Sequence, residues 1–195
     1  DGVVFSSVVP DWSAQLKHIL DAAGLSIVVE VGHAIALPFA LGVDEPQMLG
    51  ADRISAAAGA WAQGAREAVI VDAGTAVTVD VLRAGVFEGG AIFPGSGLLA
   101  RSLSDGTAVL PFVPGEAGEV VIPGRNTEAA IRAGIAWGLV GAVTELVRRS
   151  SPPGASVWLT GGECDLYTPV LEGDLHVDRD LVLKGLLEIY TLNPG

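Results

Sequence analysis

Charge, aromatic rings and sulfur are all scarce in this sequence. Of 195 residues, 17% are Asp, Glu, Lys or Arg, 6% are Phe, Trp or Tyr, and a single cysteine occurs, Cys164. One cysteine excludes an internal disulfide framework and a thiolate metal cluster, and it fits a reducing cytoplasm. Positive charge is rarer still: 11 Lys and Arg stand against 23 Asp and Glu, a formal net charge of −12. Gripping nucleic acid takes clustered Lys and Arg to neutralise phosphates, so the balance argues against that function class while leaving room for a local basic pocket for a small anion. The one basic pair, Arg148-Arg149, falls at an expected helix end, where cations favour the dipole.

Long apolar runs are missing too. A membrane-spanning helix needs about 20 mostly apolar residues. The best stretch, Ala133 to Thr144, is shorter, bounded by Arg132 and Glu145, and reads as a buried helix. No membrane association is expected. No signal-peptide pattern is visible in a chain that begins at Asp1 without Met. There are no heptads, low-complexity tracts or fixed-period repeats. His18, His33 and His176 have no partners at metal-ligand spacing.

What is present is apolar and glycine-rich: 50% hydrophobic residues, 26 glycines and a mean hydropathy of +0.49. That buries a sizeable core, as one large domain or two small ones. Val3–Val9 reads as a strand, Asp11 as the cap of a helix to Ala23 with Trp12, Leu16, Ile19 and Leu20 on one face, and Ile27–Val31 as a strand. Residues 32–48 read as a loop with one extended segment, and 51–63 as an Ala-rich helix. Ala68–Val71 and Ala76–Arg83 form a hairpin, Gly89–Phe93 a third strand and Ser96–Leu103 a helix. After a loop over 104–123, Asn126 or Thr127 opens the longest helix, to Arg149. A strand (157–160), a short helix (164–171), a strand (175–177) and an amphipathic helix (180–192) close the chain. Trp61 and Trp137 read as core or subunit packing, and Gly134, Gly138 and Gly141 as points of close helix approach, as at a dimer seam. A strand meander followed by alternating helices and strands predicts an α/β fold of ribonuclease-H-like type.

Four segments carry chemistry. In Asp72-Ala73-Gly74-Thr75 an acid ends a strand and meets a glycine turn and a hydroxyl, which suits a phosphate and cation site; the plain alternative is a self-satisfied hairpin turn. Gly50-Ala51-Asp52-Arg53 offers a base and an anion clamp at a helix start, or an ordinary first-turn acid with a surface arginine. Gly89-Gly90-Ala91-Ile92-Phe93-Pro94-Gly95 is a glycine-bracketed strand end, and Gly124-Arg125-Asn126-Thr127 runs into a helix N-terminus, a natural anion site.

Taken in order, Gly-Ala-Asp-Arg, Asp-x-Gly-Thr-Ala-x-Thr-x-Asp, Gly-Gly-x-Ile-x-Pro-Gly and Arg-Asn-Thr-x-x-Ala-Ile-x-x-Gly resemble the motif series of the type III pantothenate kinases, within the acetate and sugar kinase/Hsp70/actin superfamily. Ser6-Ser7-Val8-Val9-Pro10 and Asp180–Leu186 also resemble family segments, so the likeness runs from Asp1 to about Tyr190. The resemblance implies actin-like ATPase domains, each a mixed sheet flanked by helices: a first, incomplete one over 1–66 and a second over 67–195. It implies ATP-dependent phosphorylation of pantothenate to 4'-phosphopantothenate, the first step of coenzyme A biosynthesis, by a cytoplasmic homodimer. Asp52 would then be the general base. Gly50, Ala51 and Arg53 would line the pantothenate site with it, and Thr127 would complete that site across a dimer interface. Gly74 and Thr75 would contact ATP phosphates, and Asp72 would hold a monovalent cation, K+ or NH4+, beside Mg2+-ATP.

Two departures accompany the resemblance. The family's Asp-x-Gly-Asn-Thr loop for ATP phosphates and magnesium is not in these residues, so the expectation is a fragment, a trimmed sequence or a degenerate paralogue, inactive by itself. The family's aromatic in the loop before Gly-Ala-Asp-Arg is replaced by Val43-Asp44-Glu45-Pro46. Rival expectations are a non-catalytic regulatory homologue, like the Bvg accessory factors of the same family, and a kinase for another small hydroxyl substrate.

Overall fold

The structure is a computed structural model that describes residues 2–7, 9–25, 27–114 and 120–194. Its first unit is β1 (Gly2–Phe5), α1 (Pro10–Ala22) and β2 (Ile27–Glu30), the two strands pairing in parallel. Asp11 does not cap α1. The cap position is Val9 and a proline opens the helix, its fixed φ preset for the first turn, which leaves Asp11 inside that turn against the dipole. The expected apolar face of α1 is turned largely outward, with Trp12 69% and Ile19 61% exposed.

The second sheet has six strands: β3 (Ala40–Leu41), β4 (Ala68–Ala73), β5 (Ala76–Arg83), β6 (Val86–Pro94), β7 (Ser156–Thr160) and β8 (Leu175–Val177). Their order is β3-β6-β5-β4-β7-β8. β4, β5 and β6 form an antiparallel meander, while β7 runs parallel to β4 and β3 parallel to β6. Side chains alternate across such a sheet. Ala68 and Ile70 join one buried cluster with α2 (Ala51–Ala62) and α6 (Leu181–Leu192). Val69, Val71 and Ala73 join another with α3 (Ser96–Asp105), α4 (Thr127–Ser150) and α5 (Cys164–Tyr167). The result is a mixed sheet with helices on both faces. α2 and β3, which precede residue 66, pack with elements that follow it: α2 lies beside α6, and β3 hydrogen-bonds β6.

The α2/α6 crossing is unusually close. A Cβ on Gly59 would stand 2.0 Å from the Leu181 carbonyl oxygen, and one on Gly185 would stand 1.7 Å from that of Ser55. Asp178 ties the same pair at one end, its Oδ2 accepting from Gln63 Nε2 at 2.8 Å and Lys184 Nζ at 2.6 Å.

α4 departs from the buried helix expected. One face, Ile131, Ile135, Leu139, Val143 and Val147, is buried, because a single sheet covers one side only. Gly134, Gly138 and Gly141 have no atom of the described residues within 4 Å of where a Cβ would be, apart from their own helix. Among the described residues they serve no close approach. Trp137 is likewise 48% exposed, donating its indole N–H to the Val120 carbonyl at 3.3 Å. By length and composition α4 is also able to span a membrane, a property it shares with core helices of soluble proteins. Trp61 packs as expected, edge-on to Phe39 and under the Arg66 guanidinium.

Candidate active site

The start of α2 presents an acid and a base side by side. Gly50 is the extended cap residue, Ala51 is buried, and its carbonyl accepts from Ser55 Oγ at 2.7 Å. Asp52 is exposed, and its Oδ1 accepts the Arg53 amide hydrogen at 2.8 Å. A Cβ on Gly50 would lie 2.4 Å from that Oδ1, so the missing side chain makes room for the carboxylate.

Beneath Arg53 lies a polar island on the sheet. Register pairs Asp72 with Thr78 and Ile70 with Asp80, which puts Asp72, Thr78 and Asp80 on the Ile70 face, under α2. Asp80 is 1% exposed. Arg53 Nε lies 3.0 and 3.1 Å from the two Asp80 carboxylate oxygens, Nη2 donates to Oδ1 as well, and the guanidinium carbon stands 5.7 Å from the Phe87 ring centre. Gly90 faces Asp80 across the ladder; a Cβ there would be 2.0 Å from the Val79 carbonyl oxygen and 2.7 Å from Asp80 Oδ1. Burial pushes the Asp80 carboxyl above the usual carboxylate range, against the opposing pull of Arg53. Burial also raises Asp72, and the charges of Asp52 and then Asp80 add to it. Three carboxylates therefore share one neighbourhood with one guanidinium.

Three loops meet at one end of this sheet. The Glu163 amide donates to the Ala73 carbonyl at 2.9 Å, the Gly95 amide donates to that of Thr75 at 3.0 Å, and the Ser96 hydroxyl donates to the Glu163 carboxylate. They follow the carboxyl ends of β4, β6 and β7, where α/β sheets bind ligands. The Gly74 N–H is donated to the Ala76 carbonyl at 3.1 Å, inside the turn, so any close approach of an anion here uses the absence of a Gly74 side chain and not this N–H. The Asp72 carboxylate and Thr75 hydroxyl, by contrast, make no hydrogen bond among the described residues, so the turn is not self-satisfied by its side chains.

Thr127 is not brought to this cluster. It opens α4 on the opposite sheet face from α2 and lines an open groove with Leu99, Leu103 and Ile131. Asn126 caps that helix by accepting the Ala129 amide at 2.8 Å, and Gly124 hugs the first turn, where a Cβ would lie 2.4 Å from Ala129. Among the described residues no group of three or more His, Cys, Asp or Glu is placed to hold a metal by itself. Asp80 and Phe87 were missed as site residues in the sequence. The signal was there for Asp80: in Asp-x-Gly-Thr-Ala-x-Thr-x-Asp, Thr78 and Asp80 fall on one face by period-two alternation.

The family model described as Type III pantothenate kinase matches residues 1–149. A Type III pantothenate kinase of Halorhodospira halophila is 41% identical over 193 residues, covering 90% of this chain and 75% of that protein. The chain belongs to the type III pantothenate kinases. Among solved structures, one described as a Baf family transcriptional activator of Campylobacter jejuni superposes with a TM-score of 0.71 at 20% identity, over 100% of this chain and 84% of that one. A structure assigned as a 2-dehydro-3-deoxygalactonokinase of Sinorhizobium meliloti does so at 0.60 and 16% identity, over 91% and 84%. At those identities the likeness establishes the fold alone, one shared with both of these proteins.

Proposed function

We propose that the protein transfers the γ-phosphoryl group of ATP to the 4'-hydroxyl of pantothenate. What carries this reading, beside family membership, is Asp52: an exposed carboxylate at a helix start, next to a sheet-anchored arginine and a step from the loops at the carboxyl ends of β4, β6 and β7. Asp52 accepts the hydroxyl proton as the alkoxide oxygen bonds to the γ-phosphorus and the bond to the β–γ bridging oxygen breaks, releasing ADP. Gly50, Ala51 and Arg53 line the pantothenate site. Thr75 donates to ATP phosphates, and Gly74 keeps the turn slim beside them. Because Thr127 lies on the other sheet face, it reaches pantothenate only from a second copy, so a homodimer belongs to the proposal. A cytoplasmic location is part of the proposal, supported by the single cysteine.

The cations follow from charge. Asp52, Asp72 and Asp80 outnumber Arg53 where a polyphosphate must sit, so bound cations are needed to offset repulsion. Asp72, with no hydrogen-bond partner among the described residues, fits a monovalent ion, K+ or NH4+; a divalent ion, Mg2+, would arrive on the nucleotide. These ions neutralise charge on the phosphates and orient them.

The test is ADP release by the full-length gene product with Mg2+-ATP, in K+ and then in Na+. Release that requires both pantothenate and K+ is expected; no release from the folded protein overturns the reading. Protons compete with K+ at Asp72, whose carboxyl is raised. The K+ needed for half-maximal rate should therefore climb as pH falls toward that raised value. A K+ requirement that ignores pH would remove Asp72 from the role. Stability carries the linked sign: a raised carboxyl favours the protonated folded state, so its contribution is present at low pH and lost as pH rises through the folded value.

Gly50→Ala should act on rate and not on fold. The added methyl meets the mobile end of Asp52, so the carboxylate swings aside while the helix stays. A drop in kcat of about 10- to 100-fold is expected from such a displacement, with an unchanged melting curve. Equal losses of rate and melting temperature would mean that Gly50 serves the backbone.

A further inference from the structure

We infer that Asp80 is a positioning residue for Arg53, fixing the guanidinium so that its free edge faces the pantothenate carboxylate; this rests on the function proposed above. An arginine is a flexible side chain whose value as a clamp depends on a held plane. Here one edge of the fork is already taken. Nε shares its hydrogen between both Asp80 oxygens, at 3.0 and 3.1 Å, and Nη2 donates to one of them. The Phe87 ring lies against the same group at 5.7 Å. Two separate contacts, an ion pair and a ring, hold the guanidinium. No other group among the described residues accepts a hydrogen bond from it, which leaves Nη1 for a ligand.

Asp80 itself is out of a ligand's reach. It is 1% exposed, sits on β5 beneath α2, and its room is made by Gly90. It acts through Arg53 or not at all. The pairing also shapes recognition. Asp80 offsets much of the arginine's charge, so the pair offers direction more than net attraction. A ligand carboxylate meets an end-on donor at Nη1, not the Nε–Nη2 fork, and is selected by where it stands.

The experiment is steady-state kinetics of Asp80→Asn in the full-length protein, with pantothenate and ATP varied separately. Asn keeps the shape and loses the charge. Loss of a charge-assisted contact corresponds to about a 10- to 100-fold rise in pantothenate KM, with ATP KM and kcat moving far less. In an Arg53→Ala background, which leaves Asp80 no cation to hold, Asp80→Asn should raise pantothenate KM no further. A rise in both KM values together, or a full effect of Asp80→Asn on pantothenate KM on top of Arg53→Ala, overturns the inference in favour of a structural role.

A second readout does not depend on turnover. In 15N-labelled protein the Arg53 Nε–H signal, assigned by its loss in Arg53→Lys, should be sharp and slow to exchange, and broad or absent in Asp80→Asn. An Arg53 signal that exchanges freely in the wild type overturns the inference, whereas a wild type with no pantothenate-dependent ADP release sinks only the proposed function. Should Asp80→Asn fail to fold, Phe87→Leu removes the second contact. It should raise pantothenate KM by about threefold at near-constant kcat, and an unchanged KM there counts against the positioning.

Discussion

Asp52→Asn should cut kcat by about 10³-fold, the usual worth of a positioned general base, while leaving the fold intact. The geometry makes this a clean substitution. Among the described residues the one hydrogen bond of the Asp52 side chain is through Oδ1, which accepts the Arg53 amide hydrogen at 2.8 Å, and an asparagine oxygen accepts it equally. What vanishes is the capacity to take a proton from the pantothenate hydroxyl. The helix also loses a negative charge in its first turn, which costs only about 0.3–1 kcal/mol at an exposed position. Circular dichroism and the melting curve should therefore match the wild type, and pantothenate should still bind. Undiminished turnover would remove Asp52 from the chemistry and leave it as an ordinary helix-start acid.

Gly185→Ala should do the opposite, damaging the fold first. Gly-to-Ala inside a helix ordinarily gains about 1 kcal/mol. At this position the new Cβ would stand 1.7 Å from the Ser55 carbonyl oxygen and 2.8 Å from the Gly59 amide nitrogen, both backbone atoms of α2. Backbone cannot rotate away as a side chain can, so the helices must separate. Overpacking costs of about 3 kcal/mol or more outweigh the propensity gain. The mutant should melt well below the wild type or fail to accumulate, and because α2 carries Asp52 and Arg53, residual protein should be poorly active. A stability equal to or above the wild type would mean that the crossing is looser than described.

Much of this was legible in the sequence. Glycine and proline punctuation around apolar runs sets the element order, and every expected helix and strand is found within a few residues of its place. The ordered motifs led to the family. What the residues hid was relational. Which side of α4 faces water depends on a sheet whose strands lie both before and after it along the chain, from β3 at Ala40 to β8 at Val177, so Ile131 and Gly134 looked alike. Pro10, one residue ahead of Asp11, took over the opening of α1. The Gly74 amide turned inward because a two-residue turn closes on Ala76, a matter of hydrogen-bond pairing that no spacing displays. Arg53 looked like a free clamp because its anchor, Asp80, lies two strands' pairing away rather than on the same helix.

The match to the family model ends at residue 149, yet the helix against which α2, the carrier of Asp52, is packed occupies Leu181–Leu192. Asp52 and the alignment of its helix are thus encoded at distant places in the gene. A chimera that joins the front of this kinase to the back of a relative inherits the motifs and Asp52, but works only if the bulk at positions 59 and 185 stays small together. Swapping either glycine's neighbourhood alone would graft a complete set of motifs onto a misaimed helix.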